Sequence, residues 1–130
     1  MQCRSKPRYD SIVSNLPGCH PAIRRIILCS GKVYYDLLQE RRERKINDIM
    51  IIRVEQLYPF PLGELAEEFA QYENADVVWC QEEPENQGYW TFVDRRIEEA
   101  LRATEHRAKR PKYVGRLAAA APATGLNSRH

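Results

Sequence analysis

Three short apolar runs limit what this chain can build: "RRIILCSG" at residues 24–31, "DIMIIRVEQ" at 48–56 and "NADVVWCQEE" at 74–83. Their apolar parts are continuous rather than alternating, and they are too short for an average helix. Such runs suit strands covered on both faces. Segments of helical period separate them. "KVYYDLLQERRERK" sets Tyr34, Leu37, Leu38 and Arg41 at helical spacing, with Ser30 available as N-cap. Pro59 and Pro61 then break the chain, and Pro61 suits the first turn of a second helix with Leu62, Leu65, Ala66 and Phe69 on one face. After the turn "PENQG", Val93, Ile97, Ala100 and Leu101 mark a third helix running to about His106. "RPKYVGR" reads as a short fourth strand, and "LAAAAPATG" as a closing loop or partial helix. This alternation predicts a three-layer α/β/α domain with a mainly parallel sheet over residues 24–130. Residues 1–23 carry Pro7, Pro17, Gly18 and Pro21 without a sustained period, and read as an irregular arm or linker.

Charge and cysteine usage exclude several functions. Twenty basic against eighteen acidic residues leave a net +2, which gives no electrostatic case for nucleic acid. The basic residues that do cluster are Arg41, Arg42, Arg44 and Lys45, then Arg107, Lys109 and Arg110. Both groups follow helical patterns, where cations complement the carbonyl end of the helix dipole, so they read as solvated helix ends. No apolar run approaches the ~20 residues that span a bilayer, so no membrane is expected. "MQCRSKPRYD" lacks the apolar core of a secretory signal. Cys29 and Cys80 lie inside apolar runs as small hydrophobes, Cys3 and Cys19 in irregular sequence, and no CxxC occurs. A reducing compartment fits, without a disulfide framework or metal site. "GCH" at 18–20 has no second ligand pair to complete a zinc site.

In such a sheet, chemistry belongs to the loops at the carboxyl ends of the strands. "SGK" at 30–32 lacks the GxxxxGK[ST] spacing of a phosphate loop, although Gly31 before a helix start can leave amides free for an anion. Glu82 and Glu83 are consecutive, and consecutive strand residues point to opposite faces. They are therefore expected to serve structure or an interface rather than to converge on one bond. Arg53 and Glu55 are two apart and share a face, so they can pair, with Tyr58 and Pro59 fixing the loop exit. The serines lack a GxSxG context, and His20, His106 and His130 fall in linker, helix end and terminus. No acid–base–nucleophile set emerges, so no catalytic residue is assigned.

Four stretches carry a resemblance: "RRIILCSGKVYYDLLQER", "IIRVEQLYPFP", "VVWCQEEPENQGYWTFVDRRIE" and "KYVGR…APATG". In this order, from about Arg24 to the end, they resemble the C-terminal domain of the thiamine diphosphate-dependent first component of 2-oxoglutarate dehydrogenase. The wider transketolase-like families share only the strand, paired glutamates, turn and helix. The resemblance implies a much longer homodimeric parent that binds thiamine diphosphate and magnesium in two preceding domains. That parent decarboxylates 2-oxoglutarate in the tricarboxylic acid cycle. It passes the succinyl group to lipoyl-lysine on the dihydrolipoyl succinyltransferase component, in the bacterial cytoplasm or the mitochondrial matrix. The third domain packs on the other two, contributes to the dimer and, in some relatives, helps to form a regulatory acetyl-CoA pocket. Here that implies Ser30, Lys32, Arg53, Gln87 and Arg116 as candidate anion contacts. After Arg116, where the resemblance leads one to expect proline and serines, Leu117, Ala119 and Ala121 offer no polar group. The family usually continues past His130, which reads as a truncation.

Two uses of Arg53 stay open: presentation to an anion or a neighbouring domain, and an ion pair internal to the domain. At the level of the whole chain, the alternatives to a fragment are a free-standing ligand-binding or regulatory module and a pure interaction domain.

Overall fold

A computed structural model describes residues 11–16 and 22–115. Its elements run β1 (Ile12–Asn15), β2 (Arg25–Cys29), α1 (Val33–Glu43), β3 (Ile49–Val54), α2 (Leu62–Gln71), β4 (Asp76–Cys80), α3 (Trp90–Ala103) and β5 (Lys112–Val114). The strands form one sheet in the order β1-β3-β2-β4-β5, parallel except for β1. Each apolar run became a strand, and each helical period a helix.

Alternation along the strands sorts the core into two layers. Ile27, Cys29, Ile49, Ile51, Val78 and Cys80 pack with Val33, Tyr34 and Leu37 of α1. Ile26, Leu28, Met50, Ile52, Val77 and Trp79 pack with Leu65 and Phe69 of α2 and with Val93, Ile97 and Leu101 of α3. This is the expected three-layer α/β/α arrangement. Cys29 is fully buried, and burial pushes its thiol well above the usual range. It sits as a small hydrophobe, with its thiol 3.6 Å from the Ile52 carbonyl.

Strand β1 corrects the reading of residues 1–23 as irregular throughout. Ile12 is buried opposite Val54, while Val13 lies opposite Arg53 and is exposed. The Glu55 N–H donates to the Ser11 carbonyl at 2.7 Å and extends the pairing past the strand. Only two of its four residues are apolar, and its partner is some forty positions away. That pattern carries no local strand signal.

The first basic cluster also divides. Arg42, Arg44 and Lys45 are exposed, as a solvated helix end requires. Arg41 is half-buried and works inside the fold: its Nη1 donates to the carbonyls of Asn15 and Ile49, each at 3.0 Å, and its Nη2 to Asn15 Oδ1. It ties the last turn of α1 to both β1 and β3. In the second cluster, Arg110 reaches Asp94 and Glu98 of α3 at 2.8 Å each. His106 is buried at the far end. Its Nδ1 accepts the Ala108 N–H at 2.9 Å, so Nε2 carries the proton and donates to the Tyr72 carbonyl at 2.8 Å. The ring thereby joins the ends of α2 and α3.

Ile51 is 1% exposed on β3, between β1 and β2. Ile51→Ala should therefore lose roughly 2–5 kcal/mol through lost transfer energy plus a cavity. Urea melts check this, and a loss under about 1 kcal/mol would contradict the placement.

Candidate functional site

The chain leaves β2 toward β3 on one side, whereas it leaves β4 toward β5 on the other. The strand order thus reverses between β2 and β4, and the carboxyl ends of these two strands flank the crevice where such sheets take ligands. α1 and α3 follow those two strands and lie on opposite faces of the sheet. Both helix starts lie at this edge.

At the first start, Gly31 has φ +74°, in the left-handed region that glycine accepts without strain. This turn moves the helix start beyond Ser30. The N-cap is Lys32, not Ser30 as expected, and no side chain caps the helix. The Tyr34 and Tyr35 N–H groups reach back to the Gly31 and Lys32 carbonyls at 3.3 and 3.0 Å. Ser30 is half-buried and Lys32 exposed beside amides that carry the positive end of the helix dipole. Pro61 is likewise the N-cap of α2 rather than its first helical residue.

The loop after β4 is organised by Gln81, which is 5% exposed and which the sequence reading did not single out. Its Oε1 accepts from Trp79 Nε1 at 2.9 Å and from the Trp90 N–H at 3.0 Å. Its Nε2 donates to the Pro84 carbonyl at 3.0 Å and to the Gln87 carbonyl at 2.5 Å. One amide thus fixes the strand end, the loop and the first residue of α3. Gly88 is required twice over: its φ is +69°, and a Cβ there would come 2.9 Å from Gln81 Oε1. Gln87 is bound into this loop through its backbone and leaves its side chain exposed. Glu82 and Glu83 lie past the strand and are exposed, so strand alternation does not govern them. The Tyr113 hydroxyl donates to the Glu83 carbonyl at 2.6 Å.

Arg53, at the end of β3 beside Cys29 of β2, is engaged within the domain. Its Nε lies 3.1 Å from Glu55 Oε2, and its Nη1 donates to the Tyr35 hydroxyl at 2.9 Å. The guanidinium sits 5.5 and 5.3 Å from the centroids of Tyr34 and Tyr35. The i, i+2 pairing read from sequence forms, and the two tyrosines of α1 add a cation–π seat. Ser30, Lys32, Arg53 and Gln87 therefore follow or end three adjacent strands at one edge of the sheet. Arg116 lies outside the described residues, as do Leu117, Ala119 and Ala121.

Replacing Gln81 by alanine strands two buried N–H donors, which should cost roughly 2–3 kcal/mol. It should also loosen the 82–89 loop, read as faster amide exchange there. Unchanged stability and exchange would show that the loop holds itself.

Comparison with known proteins shows the family of the chain. Residues 8–130 match the family described as 2-oxoglutarate dehydrogenase C-terminal. Over 108 residues the chain is 54% identical to the 2-oxoglutarate dehydrogenase E1 components of Brucella anthropi and Brucella ovis. The component of Brucella melitensis matches to the same degree. These alignments cover 83% of this chain and 11% of each relative, so the chain spans about a ninth of the length of the curated relatives it matches. The family match starts upstream of β1, in keeping with the place of that strand in the sheet. With nearly its whole length matched, the chain belongs to the 2-oxoglutarate dehydrogenase C-terminal family.

Proposed function

We propose that this chain is the C-terminal domain of a 2-oxoglutarate dehydrogenase first component and performs no catalysis of its own. The observation that carries the reading is 54% identity confined to a ninth of the relatives' length. In this reading the whole protein is a homodimer that decarboxylates 2-oxoglutarate with thiamine diphosphate and magnesium. It hands the succinyl group to lipoyl-lysine on the dihydrolipoyl succinyltransferase component. Among the described residues no group of three His, Cys, Asp or Glu could hold a metal ion. In this reading the magnesium–diphosphate cradle belongs to the preceding domains. The domain's task is assembly: it packs on those domains and contributes to the dimer. No described helix is long and apolar enough to cross a membrane. In a bacterium the protein would work in the cytoplasm, in a eukaryote in the mitochondrial matrix.

A regulatory role is favoured by the helix starts, neither of which has a side-chain cap. Ser30, Lys32 and the α1 amides would receive phosphate oxygens of acetyl-CoA, with Gln87 and Arg116 as neighbours. Arg53 has to turn from Glu55 to join them. Its present contacts are those of the internal pair.

Two outcomes follow. The purified chain, given thiamine diphosphate, magnesium, 2-oxoglutarate and a redox dye, should show no turnover above a buffer blank. Clear turnover would overturn the reading. In a full-length enzyme carrying this domain, Arg53→Ala should weaken acetyl-CoA binding by the ~1.5–3 kcal/mol typical of a charged hydrogen bond, measured by calorimetry. Unchanged affinity with a lower melting temperature would make Arg53 purely structural.

A further inference from the structure

The loop after β3 and the outer face of α3 share an aromatic surface that the described residues leave uncovered. Tyr58 is 77% exposed, the most among the described large apolar or aromatic side chains, and its ring lies 4.9 Å from that of Phe92. Phe60 meets Phe92 edge-on at 6.5 Å. The Arg96 guanidinium lies 3.9 Å from the Phe92 centroid, and its Nη1 donates to the Phe92 carbonyl at 2.7 Å. Tyr89, 53% exposed at the N-cap of α3, stands three residues before Phe92 and seven before Arg96, on the same side of the helix. Phe60 and Phe92 are rooted in the α2–α3 core, so the patch is held firm from beneath.

We infer that Tyr58, Phe60, Tyr89, Phe92 and Arg96 form the surface on which the polypeptide preceding this domain docks. The inference rests on the reading of this chain as the C-terminal part of a longer protein, and it names the face that does the packing. The relatives carry roughly nine-tenths of their length outside the matched region, and the matched family is C-terminal, so a large body of protein precedes the domain. Rings anchored at their base, with an arginine stacked among them, have the composition of a buried interface centre. A contiguous aromatic surface left in water is uncommon on a self-sufficient monomer. The occupant should bring apolar side chains to the rings and an acceptor, carboxylate or carbonyl, to the outer edge of Arg96. Tyr35 offers a contrast: it is 56% exposed, yet its hydroxyl and ring already serve Arg53.

Hydroxyl-radical footprinting tests this on two proteins. One is the 130-residue chain. The other is the full-length Brucella ovis component with its matching stretch replaced by this chain. Oxidation of Tyr58, Tyr89 and Phe92 should fall by about tenfold in the long protein, as for side chains sealed at an interface centre, while Tyr35 keeps its rate. If the long protein decarboxylates 2-oxoglutarate and Tyr58 and Phe92 are oxidised as fast as in the short chain, the docking inference is wrong and the family function stands. If the long protein neither assembles nor turns over, the domain does not serve as proposed, and both fall together. Protection that appears in the short chain alone and grows with its concentration would assign the patch to a second copy, also overturning the inference.

Discussion

Strand β2 lies between β3 and β4 with no residue more than 4% exposed, and the covering of both its faces dictates the rest of the structure. A parallel strand covered twice needs a helix layer on either side, and the crossovers that link such strands supply them. It also leaves no room for chemistry along its length. Polar groups can meet a ligand or partner only where the strand stops. The uncapped α1 start, the Gln81 loop and Arg53 all stand at that edge for this reason.

The arginines show how location decides the use of one side chain. Arg25, at the amino end of β2, is buried beside Asp76 at 3.3 Å, and desolvation lowers its pKa. Arg41 spends its charge on backbone carbonyls and joins three elements. Arg53, at the opposite end of the sheet, is held by one carboxylate, one hydroxyl and two aromatic faces. None of these three is a freely solvated cation, whereas Arg42 and Arg44, close to Arg41 in sequence, are exposed. The domain's near-neutral charge therefore hides a good deal of internal electrostatic work.

The aromatic surface and the strand-end crevice involve the same loops. Tyr58 and Phe60 follow Arg53 within a few residues, and Tyr89 follows the Gln81 loop. A body docked on the rings would sit close to the mouth of the crevice. In the reading proposed above, the loops that would receive an anion are thus the ones that would also meet the docked body.

Sequence alone determined the layers. The continuous apolar runs specified β2, β3 and β4, and the helical periods specified α1, α2 and α3, because burial on two faces and burial on one face leave different spacings. The Arg53–Glu55 pair was legible for a similar reason: residues two apart on a strand share a face whatever surrounds them. Tertiary structure decided what depended on distant partners. β1 exists because Ile12 finds Val54, and nothing within its four residues announces that. Arg41 left the solvated helix end because Asn15 and Ile49 came within reach of it. Ser30 lost the N-cap to Lys32 once Gly31 turned left-handed. Gln81 looked like any polar residue at a strand end until Trp79, Pro84, Gln87 and Trp90 closed around its amide. Local spacing fixes which face a residue occupies. Only the folded chain decides which groups, far apart in sequence, meet it there.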